Sequence, residues 1–149
     1  VDRLQDALSK VADVAGANGV TYCLEPLSAH ETPVINTIAE AAALVRAVGH
    51  PNLRTMIDCS AAGLGENEPV PDLIDRWLPT KLIGHVQVND PNRRGPGQGE
   101  MKFAPILAAL QRNAYAGAIS VEPFDYVPDG PAAAAFCIGY LKGLREALV

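Results

Sequence analysis

The chain has 149 residues, of which 48% are hydrophobic and 19% charged, a composition typical of one globular domain rather than of a disordered or fibrous chain. Its 12 Lys and Arg and 17 Asp and Glu give a net charge of −5, which argues against nucleic-acid and anionic-membrane binding, since both favour a basic surface. No apolar run reaches the roughly 18 residues of a membrane span, and the first residues lack a signal-peptide pattern. We therefore expect a cytoplasmic protein.

Amphipathic segments alternate with short apolar runs, and the two periodicities predict alternating helices and strands. In chain order the predicted elements are helix 1–17, strand 20–24, helix 37–48, strand 53–57, helix 71–78, strand 82–88, helix 103–113, strand 118–121 and helix 131–148. This order is typical of a parallel sheet with crossover helices, so the predicted fold class is α/β.

Two helices carry predicted apolar faces, and one carries a capping signal. The first helix is predicted to bury Leu4, Leu8, Val11 and Val14. The last helix is predicted to bury Phe136, Tyr140, Leu141, Leu144 and Leu148. In the second helix, Thr37 is followed three positions later by Glu40, the spacing of a capping box.

The three cysteines, Cys23, Cys59 and Cys137, lie far apart and form no CxxC pair. Their odd number and spacing favour neither a disulfide framework nor a structural zinc site. Because no histidine is adjacent to Cys59, we expect that residue to be a buried thiol rather than a nucleophile.

The first strongly polar side chain of each predicted strand falls at or near its carboxyl end. These residues are Glu25, Asp58, Gln87 and Glu122, which lie 29 to 35 positions apart. In a parallel βα array the carboxyl ends of the strands share one face, where ligands bind. We therefore expect the four side chains to lie close together.

Three carboxylates and one amide oxygen form a hard, oxygen-only donor set that suits Mg²⁺ or Mn²⁺ better than Zn²⁺. Without a cation, the three carboxylates would repel one another and their pKa values would rise. The alternative interpretation is that each acid only caps a helix or binds a loop, which is the commoner role of a single Asp or Glu at a strand end.

Five segments resemble the xylose-isomerase-like TIM-barrel superfamily: Leu24-Glu25-Pro26, Met56-Ile57-Asp58, Gly84-His85-Val86-Gln87, the stretch 92–99 and Val121-Glu122-Pro123-Phe124. Within that superfamily the chain is similar to sugar epimerases and isomerases of the D-tagatose/D-psicose 3-epimerase and hydroxypyruvate isomerase type. The resemblance covers nearly all of the chain but matches only the C-terminal half of the family's barrel. It implies a divalent-metal-dependent isomerase or epimerase that acts on a sugar or small hydroxy-keto substrate through an enediolate.

The resemblance also implies roles for the four strand-end residues. Glu25 and Glu122 would be metal ligands that double as the acid/base pair, and Asp58 would be the third ligand. The fourth ligand is a histidine in the ketohexose epimerases, whereas Gln87 occupies that place here, as glutamine does in hydroxypyruvate isomerases. The implied metal is Mn²⁺ or Mg²⁺, with Co²⁺ and Zn²⁺ as alternatives.

Substrate contacts are implied in the same way. Glu31 matches a substrate-binding glutamate, and Arg93 matches an arginine that contacts substrate oxygens. The chain departs from the epimerases at Ala61, where they place a substrate-binding histidine. This departure leaves the identity of the substrate open.

Length sets a further expectation, because a (β/α)₈ barrel typically needs about 250 residues. Residues 1–149 would supply about the last four βα units, as a half barrel that is truncated or completed by association into a homo-oligomer. A self-contained α/β sandwich is the third alternative. The alternative functions are a metal-dependent dehydratase, an apurinic-site endonuclease-like hydrolase, which the acidic charge and three histidines disfavour, or an inactive fragment.

Three further expectations concern the region after the third strand. His85 lies on the same strand face as Gln87 and is predicted to be a hydrogen-bonded core histidine. The segment 95–99 is rich in Gly and Pro and is predicted to form a flexible rim. Asn89 and Asp90 are predicted to cap or hold that segment.

Overall fold

The structure is a computed structural model that describes residues 2–148, so the first residue of the first predicted helix lies outside it. Every predicted helix and strand is present, and one additional helix follows the second strand. In chain order they are α1 (Asp2–Ala17), β1 (Tyr22–Leu24), α2 (Ile38–Val48), β2 (Leu53–Asp58), α3 (Cys59–Gly65), α4 (Val70–Trp77), a 3₁₀ turn (Leu78–Thr80), β3 (Ile83–Val88), α5 (Phe103–Arg112), β4 (Ile119–Val121) and α6 (Gly130–Glu146).

The four strands form one parallel sheet in the order β1-β2-β3-β4. Each strand therefore lies beside the next one in the chain, without the reversal of strand order that marks a doubly wound sheet. A uniform progression of parallel strands is the arrangement of a TIM-type barrel. The predicted α/β class is confirmed, and the sheet is consistent with a half barrel.

Both outer edges of the sheet keep apolar side chains exposed. Val20 and Tyr22 are exposed beside or within β1, and Ile119 is exposed at the start of β4. Over residues 2–148 neither edge strand has a second neighbour. Each edge therefore carries backbone N–H and C=O groups that a further strand could pair with.

The main core lies between the sheet and the helices that follow β2 and β3. Ile57, Val86 and Val88 are fully buried there together with Ile74 of α4 and Phe103 of α5. Because side chains alternate along a strand, Asp58, which follows Ile57, and Gln87, which lies between Val86 and Val88, point to the opposite face of the sheet. This alternation separates the apolar core from the polar strand ends.

The predicted buried face of α1 is wrong in its second half. Val11 and Val14 are 37% and 65% exposed, whereas Leu8 and Ala12 are buried against β2 and α2. The small side chain of Ala12 lets the helix approach the sheet closely, so the helix turns a smaller residue inward than hydrophobicity alone predicts.

The same effect appears in α6. Phe136 is 49% exposed, while Ala133 and Cys137 are completely buried. Tyr140, Leu141 and Leu144 pack partly buried against the main core, as predicted, and Leu148 lies just beyond the end of the helix. As in α1, small residues lie where the helix packs most closely against the rest of the protein.

The capping box of α2 is confirmed. The Thr37 hydroxyl accepts a hydrogen bond from the Glu40 N–H, and the Glu40 carboxylate accepts from the N–H groups of Thr37 and Asn36 at 3.1 and 2.7 Å. The helix ends at Gly49 in the left-handed conformation, with φ of 68°. Glycine adopts this conformation without steric cost.

The helix α3 was not predicted. It follows β2 without a loop, and Asp58 is both the last strand residue and the N-cap of the helix. Gly63 and Gly65 lie within its seven residues and weaken the helical pattern.

Among the residues that the structure describes, no helix combines the length and apolar character that crossing a bilayer requires.

Candidate metal and catalytic site

The four strand-end residues meet at one point above the sheet. Asp58 and Gln87 are paired across β2 and β3, while Glu25 and Glu122 directly follow β1 and β4. One carboxylate oxygen from each of Glu25, Asp58 and Glu122 lies within 4.8 Å of the other two. The structure thus brings together the four side chains that sequence spacing placed on one face.

Gln87 occupies the centre of this group. One terminal atom of its amide lies 3.2 Å from Glu25 Oε1, 3.1 Å from Glu122 Oε2 and 3.1 Å from Asp58 Oδ2. The structure points the amide oxygen at these three carboxylate oxygens, so that acceptors face acceptors. Exchanging the amide oxygen and nitrogen would make Gln87 a hydrogen-bond donor to all three acids.

The donor set fits a hard divalent cation. Adjacent ligands of an octahedral ion at about 2.1 Å lie about 3.0 Å apart, close to the 3.1–3.2 Å separations around Gln87. With the amide oxygen of Gln87 facing the three carboxylates, the site is a four-oxygen set. Oxygen-only donors of this kind favour Mg²⁺ or Mn²⁺.

The electrostatics of the site reflect three acids in close contact. Burial, followed by the charges of Asp58, Glu122 and Glu31, raises the pKa of Glu25 to about 7. Burial also raises the pKa of Asp58, an effect partly offset by hydrogen bonds from the Ala61 N–H and from Asn89. The carboxylates carry an electrostatic cost that a bound cation would remove.

Asp58 also caps a helix, which is the alternative role considered for a strand-end acid. Its Oδ1 accepts a hydrogen bond from the Ala61 N–H at 2.6 Å, while Oδ2 faces Gln87. The two oxygens of one carboxylate therefore serve different partners. Helix capping and ligation are compatible at this residue.

A cavity of about 190 Å³ opens above the carboxylates. Five of the six predicted site residues line it, and the sixth, Gln87, contacts the three acids instead. Ala61 also lines the cavity, so the absence of a histidine side chain there leaves space in its wall. Residues that sequence reasoning did not assign to the site also contribute to this wall: Leu27, Ser28, His30, Ser60, Leu64, Asn89, Pro91 and Phe124.

Glu31 and Arg93 border the cavity from two loops. Glu31 Oε2 accepts a hydrogen bond from the Ser28 hydroxyl at 2.9 Å. The Arg93 guanidinium lies 4.6 Å from the centre of the Phe124 ring, and its backbone has a left-handed φ of 72°. A non-glycine residue in this conformation is uncommon and is often found at functional positions.

The prediction of a flexible rim at residues 95–99 is wrong. Pro96 is fully buried, and a Cβ atom on Gly95 would collide with the Cys137 sulfur of α6. Gly97 has a φ of 85° and lies against the Tyr140 ring. Gly95 and Gly97 allow close packing against α6, and Gly99 allows close packing against Asp90.

Of the two residues expected to hold this segment, only Asp90 does so. Its carboxylate accepts hydrogen bonds from the N–H groups of Met101 and Asn92 at 3.0 and 3.4 Å. Asn89 instead bonds to Ser60 and Glu122, because its side chain turns toward the sheet ends. The prediction is confirmed for Asp90 and wrong for Asn89.

Cys59 has the expected environment, and His85 has it in part. His85 Nε2 lies 2.8 Å from the Ser120 hydroxyl, so the predicted hydrogen bond is confirmed, but His85 is only partly buried and is not a core residue. Cys59 is fully buried, and burial raises the pKa of its thiol. A buried, protonated thiol is not a nucleophile.

Comparison with known proteins gives matches over most of the chain. Residues 1–142 match a family model described as a xylose isomerase-like TIM barrel. A D-psicose 3-epimerase of Agrobacterium fabrum is 36% identical over 119 residues, which are 80% of this chain and 40% of that protein. The chain therefore spans about two fifths of the length of this curated relative.

Solved structures of sugar epimerases also superpose on most of this chain. A D-psicose 3-epimerase from Clostridium cellulolyticum, determined with D-tagatose, superposes with a TM-score of 0.72 at 33% identity, over 83% of this chain and 42% of its own. A 3-keto-D-glucoside 4-epimerase from Escherichia coli superposes with a TM-score of 0.83 at 25% identity, over 93% of this chain and 52% of its own.

Proposed function

The chain belongs to the xylose isomerase-like TIM-barrel family, and we propose that it carries the metal-binding and acid/base residues of a sugar isomerase or epimerase. Its relatives bear the names of sugar epimerases and isomerases. The observation that carries the proposal is the convergence of three carboxylates and the Gln87 amide on one point beneath an open cavity.

Four side chains would hold the cation, namely those of Glu25, Asp58, Gln87 and Glu122. A bound Mn²⁺ or Mg²⁺ would polarise the carbonyl and hydroxyl oxygens of the substrate and stabilise the negative charge that develops when a proton leaves. The donor chemistry and spacing described above support Mn²⁺ or Mg²⁺ as the ion.

Glu25 and Glu122 would move the protons. They follow the first and last strands of the sheet and so approach a substrate in the cavity from different sides. One carboxylate would take the proton from the carbon next to the carbonyl, leaving an enediolate. The other would return a proton to the opposite face of that carbon, giving an epimer, or to the neighbouring carbon, giving an isomer.

Glu31 and Arg93 would bind and orient the substrate. Both line the cavity, and the Arg93 guanidinium lies over the ring of Phe124, another residue of the cavity wall. A guanidinium at this position can donate charge-assisted hydrogen bonds to substrate oxygens. We propose a sugar or a small hydroxy-keto compound as the substrate.

The remaining wall of the site would come from additional βα units. Over residues 2–148 the sheet has two open edges, and the D-psicose 3-epimerase of Agrobacterium fabrum is about two and a half times longer than the region matched. We propose that residues 1–149 act as the C-terminal half of a barrel. Assembly into a homo-oligomer remains a prediction.

The test combines metal binding with turnover. The chain is titrated with Mn²⁺ and assayed against ketoses, hydroxypyruvate and cyclic polyols, beside Glu25→Gln, Glu122→Gln and the control Glu68→Gln. Glu68 is a matched control because it pairs with Arg76 away from the cavity. We expect one Mn²⁺ per chain, and loss of turnover in both site variants but not in the control. A wild-type chain that binds no Mn²⁺, or a site variant with normal turnover, would overturn the proposal.

A further inference from the structure

Asn89 is a buried amide at the carboxyl end of β3, in the wall of the cavity that the carboxylates also line. It follows β3 by one residue and is only 3% exposed. A buried amide is costly unless its donors and acceptor are satisfied. The hydrogen-bond partners of Asn89 therefore show which groups its side chain holds in place.

Those partners come from the segments that directly follow the two strands on either side of β3. Asn89 Oδ1 accepts a hydrogen bond from the Ser60 N–H at 3.1 Å, and Nδ2 donates to the Glu122 carbonyl oxygen at 3.4 Å. One side chain thus links the carboxyl ends of β2, β3 and β4.

The contact with Ser60 matters because Asp58 is the N-cap of α3. The first turn of α3 donates its Ala61 N–H to Asp58 Oδ1 and its Ser60 N–H to Asn89 Oδ1. The direction in which Asp58 Oδ2 points therefore depends on the position of this turn. Ligand atoms must lie within about 0.5 Å of their productive positions, so the supporting contacts of a ligand affect the affinity of the site.

We propose that Asn89 is a positioning residue for the cation site, which fixes Asp58 through the first turn of α3 and fixes Glu122 through its backbone. This proposal rests on the proposed function, because it assigns Asn89 to the same cation site. Asn89 itself donates no ligand. It orients two ligands from two other strands.

A purely structural role for Asn89 would give a different experimental result from a role in positioning the ligands. If Asn89 only satisfied buried backbone groups, its removal would lower stability and leave Mn²⁺ affinity unchanged. Asn52 provides the matched control, since its side chain donates to the Val20 carbonyl oxygen at 2.9 Å at the opposite end of the sheet. Asn52→Ala also removes a hydrogen bond between neighbouring segments but leaves the site intact.

The experiment measures Mn²⁺ dissociation constants and unfolding midpoints for the wild-type chain, Asn89→Ala, Asn89→Ser and Asn52→Ala. We expect Asn89→Ala to bind Mn²⁺ about 10- to 100-fold more weakly, and Asn52→Ala to bind like the wild type despite lower stability. Asn89→Ser retains a small polar group and serves if Asn89→Ala does not fold. Wild-type affinity in a folded Asn89 variant would overturn the proposal.

A second measurement separates this proposal from the proposed function. Hydrogen exchange at the Ser60 amide is measured in the metal-free chain, and we expect at least tenfold faster exchange in the Asn89 variant than in Asn52→Ala. If the wild-type chain binds no Mn²⁺, the proposed function fails. If the Ser60 amide exchanges at the same rate in the Asn89 variant and in Asn52→Ala, the role of Asn89 in holding α3 fails, whatever the result of the metal titration.

Discussion

Gln87 lies directly across from Asp58 in the register of β2 and β3, and its amide is 3.1 Å from Asp58 Oδ2. The same amide reaches Glu25 and Glu122 at 3.2 and 3.1 Å. A neutral side chain that can present either its nitrogen or its oxygen is therefore in contact with all three acids. Its nitrogen would donate hydrogen bonds to the acids, whereas its oxygen, the atom that faces them in the structure, would supply a fourth ligand to a cation.

Gln87→Leu should weaken Mn²⁺ binding by about tenfold or more, because the variant loses one oxygen ligand and the group that contacts all three acids. The measurement is an Mn²⁺ titration of the purified chain. Gln111→Leu, an exposed position on α5, is the control for added hydrophobicity. Equal Mn²⁺ affinity in wild type and Gln87→Leu would show that Gln87 is not a ligand.

The capping box makes a prediction about stability that is independent of the site. Thr37→Ala removes the hydroxyl that accepts from the Glu40 N–H, and we expect it to lower the free energy of unfolding by about 1 kcal/mol. Ser9→Ala, on an exposed position of α1, should change it by less than about 0.5 kcal/mol. Urea denaturation of the three chains checks both values.

Glu40 predicts a pH dependence. Hydrogen bonds from the N–H groups of Asn36 and Thr37 hold the pKa of its carboxyl below the usual value of 4.5. Because the folded-state pKa is lowered, the stabilisation is fully present above the unfolded-state pKa and is lost as pH falls through the folded-state pKa. The stability difference between wild type and Glu40→Gln should therefore shrink as the pH is lowered below about 4.5. A difference that stays constant to pH 3 would contradict this.

Two glycine substitutions should have opposite effects. Gly95→Ala places a methyl group against the Cys137 sulfur and should destabilise the fold by about 1–3 kcal/mol. Gly139→Ala, within α6 and with open space around the new methyl group, should stabilise it by about 0.5–1 kcal/mol. Thermal unfolding of both variants tests whether the 95–99 segment is packed. An unaffected Gly95→Ala would restore the flexible-rim interpretation.

The positions of the strand ends were predictable because each strand is a short apolar run that ends at a polar residue. Glu25 and Glu122 are each followed by proline, which ends strand pairing. The same logic misses α3, because a polar residue after an apolar run predicts the end of a strand, whereas Asp58 is also the N-cap of a helix.

Other features depend on partners that are distant in the chain. The buried faces of α1 and α6 shift toward Ala12 and Cys137 because close packing favours small residues, and hydrophobic periodicity does not report packing distance. Asn89 binds residues 29 and 33 positions away. Local sequence indicated only that it could hold the loop that follows it.

The most direct test of the cation site is a crystal structure of the chain grown with Mn²⁺, with anomalous data collected at the manganese edge. The account predicts one strong peak bound by oxygens of Glu25, Asp58, Gln87 and Glu122 at about 2.2 Å, with the Gln87 amide turned so that its oxygen faces the ion. A peak elsewhere, or acids that point apart with no ion between them, would contradict it.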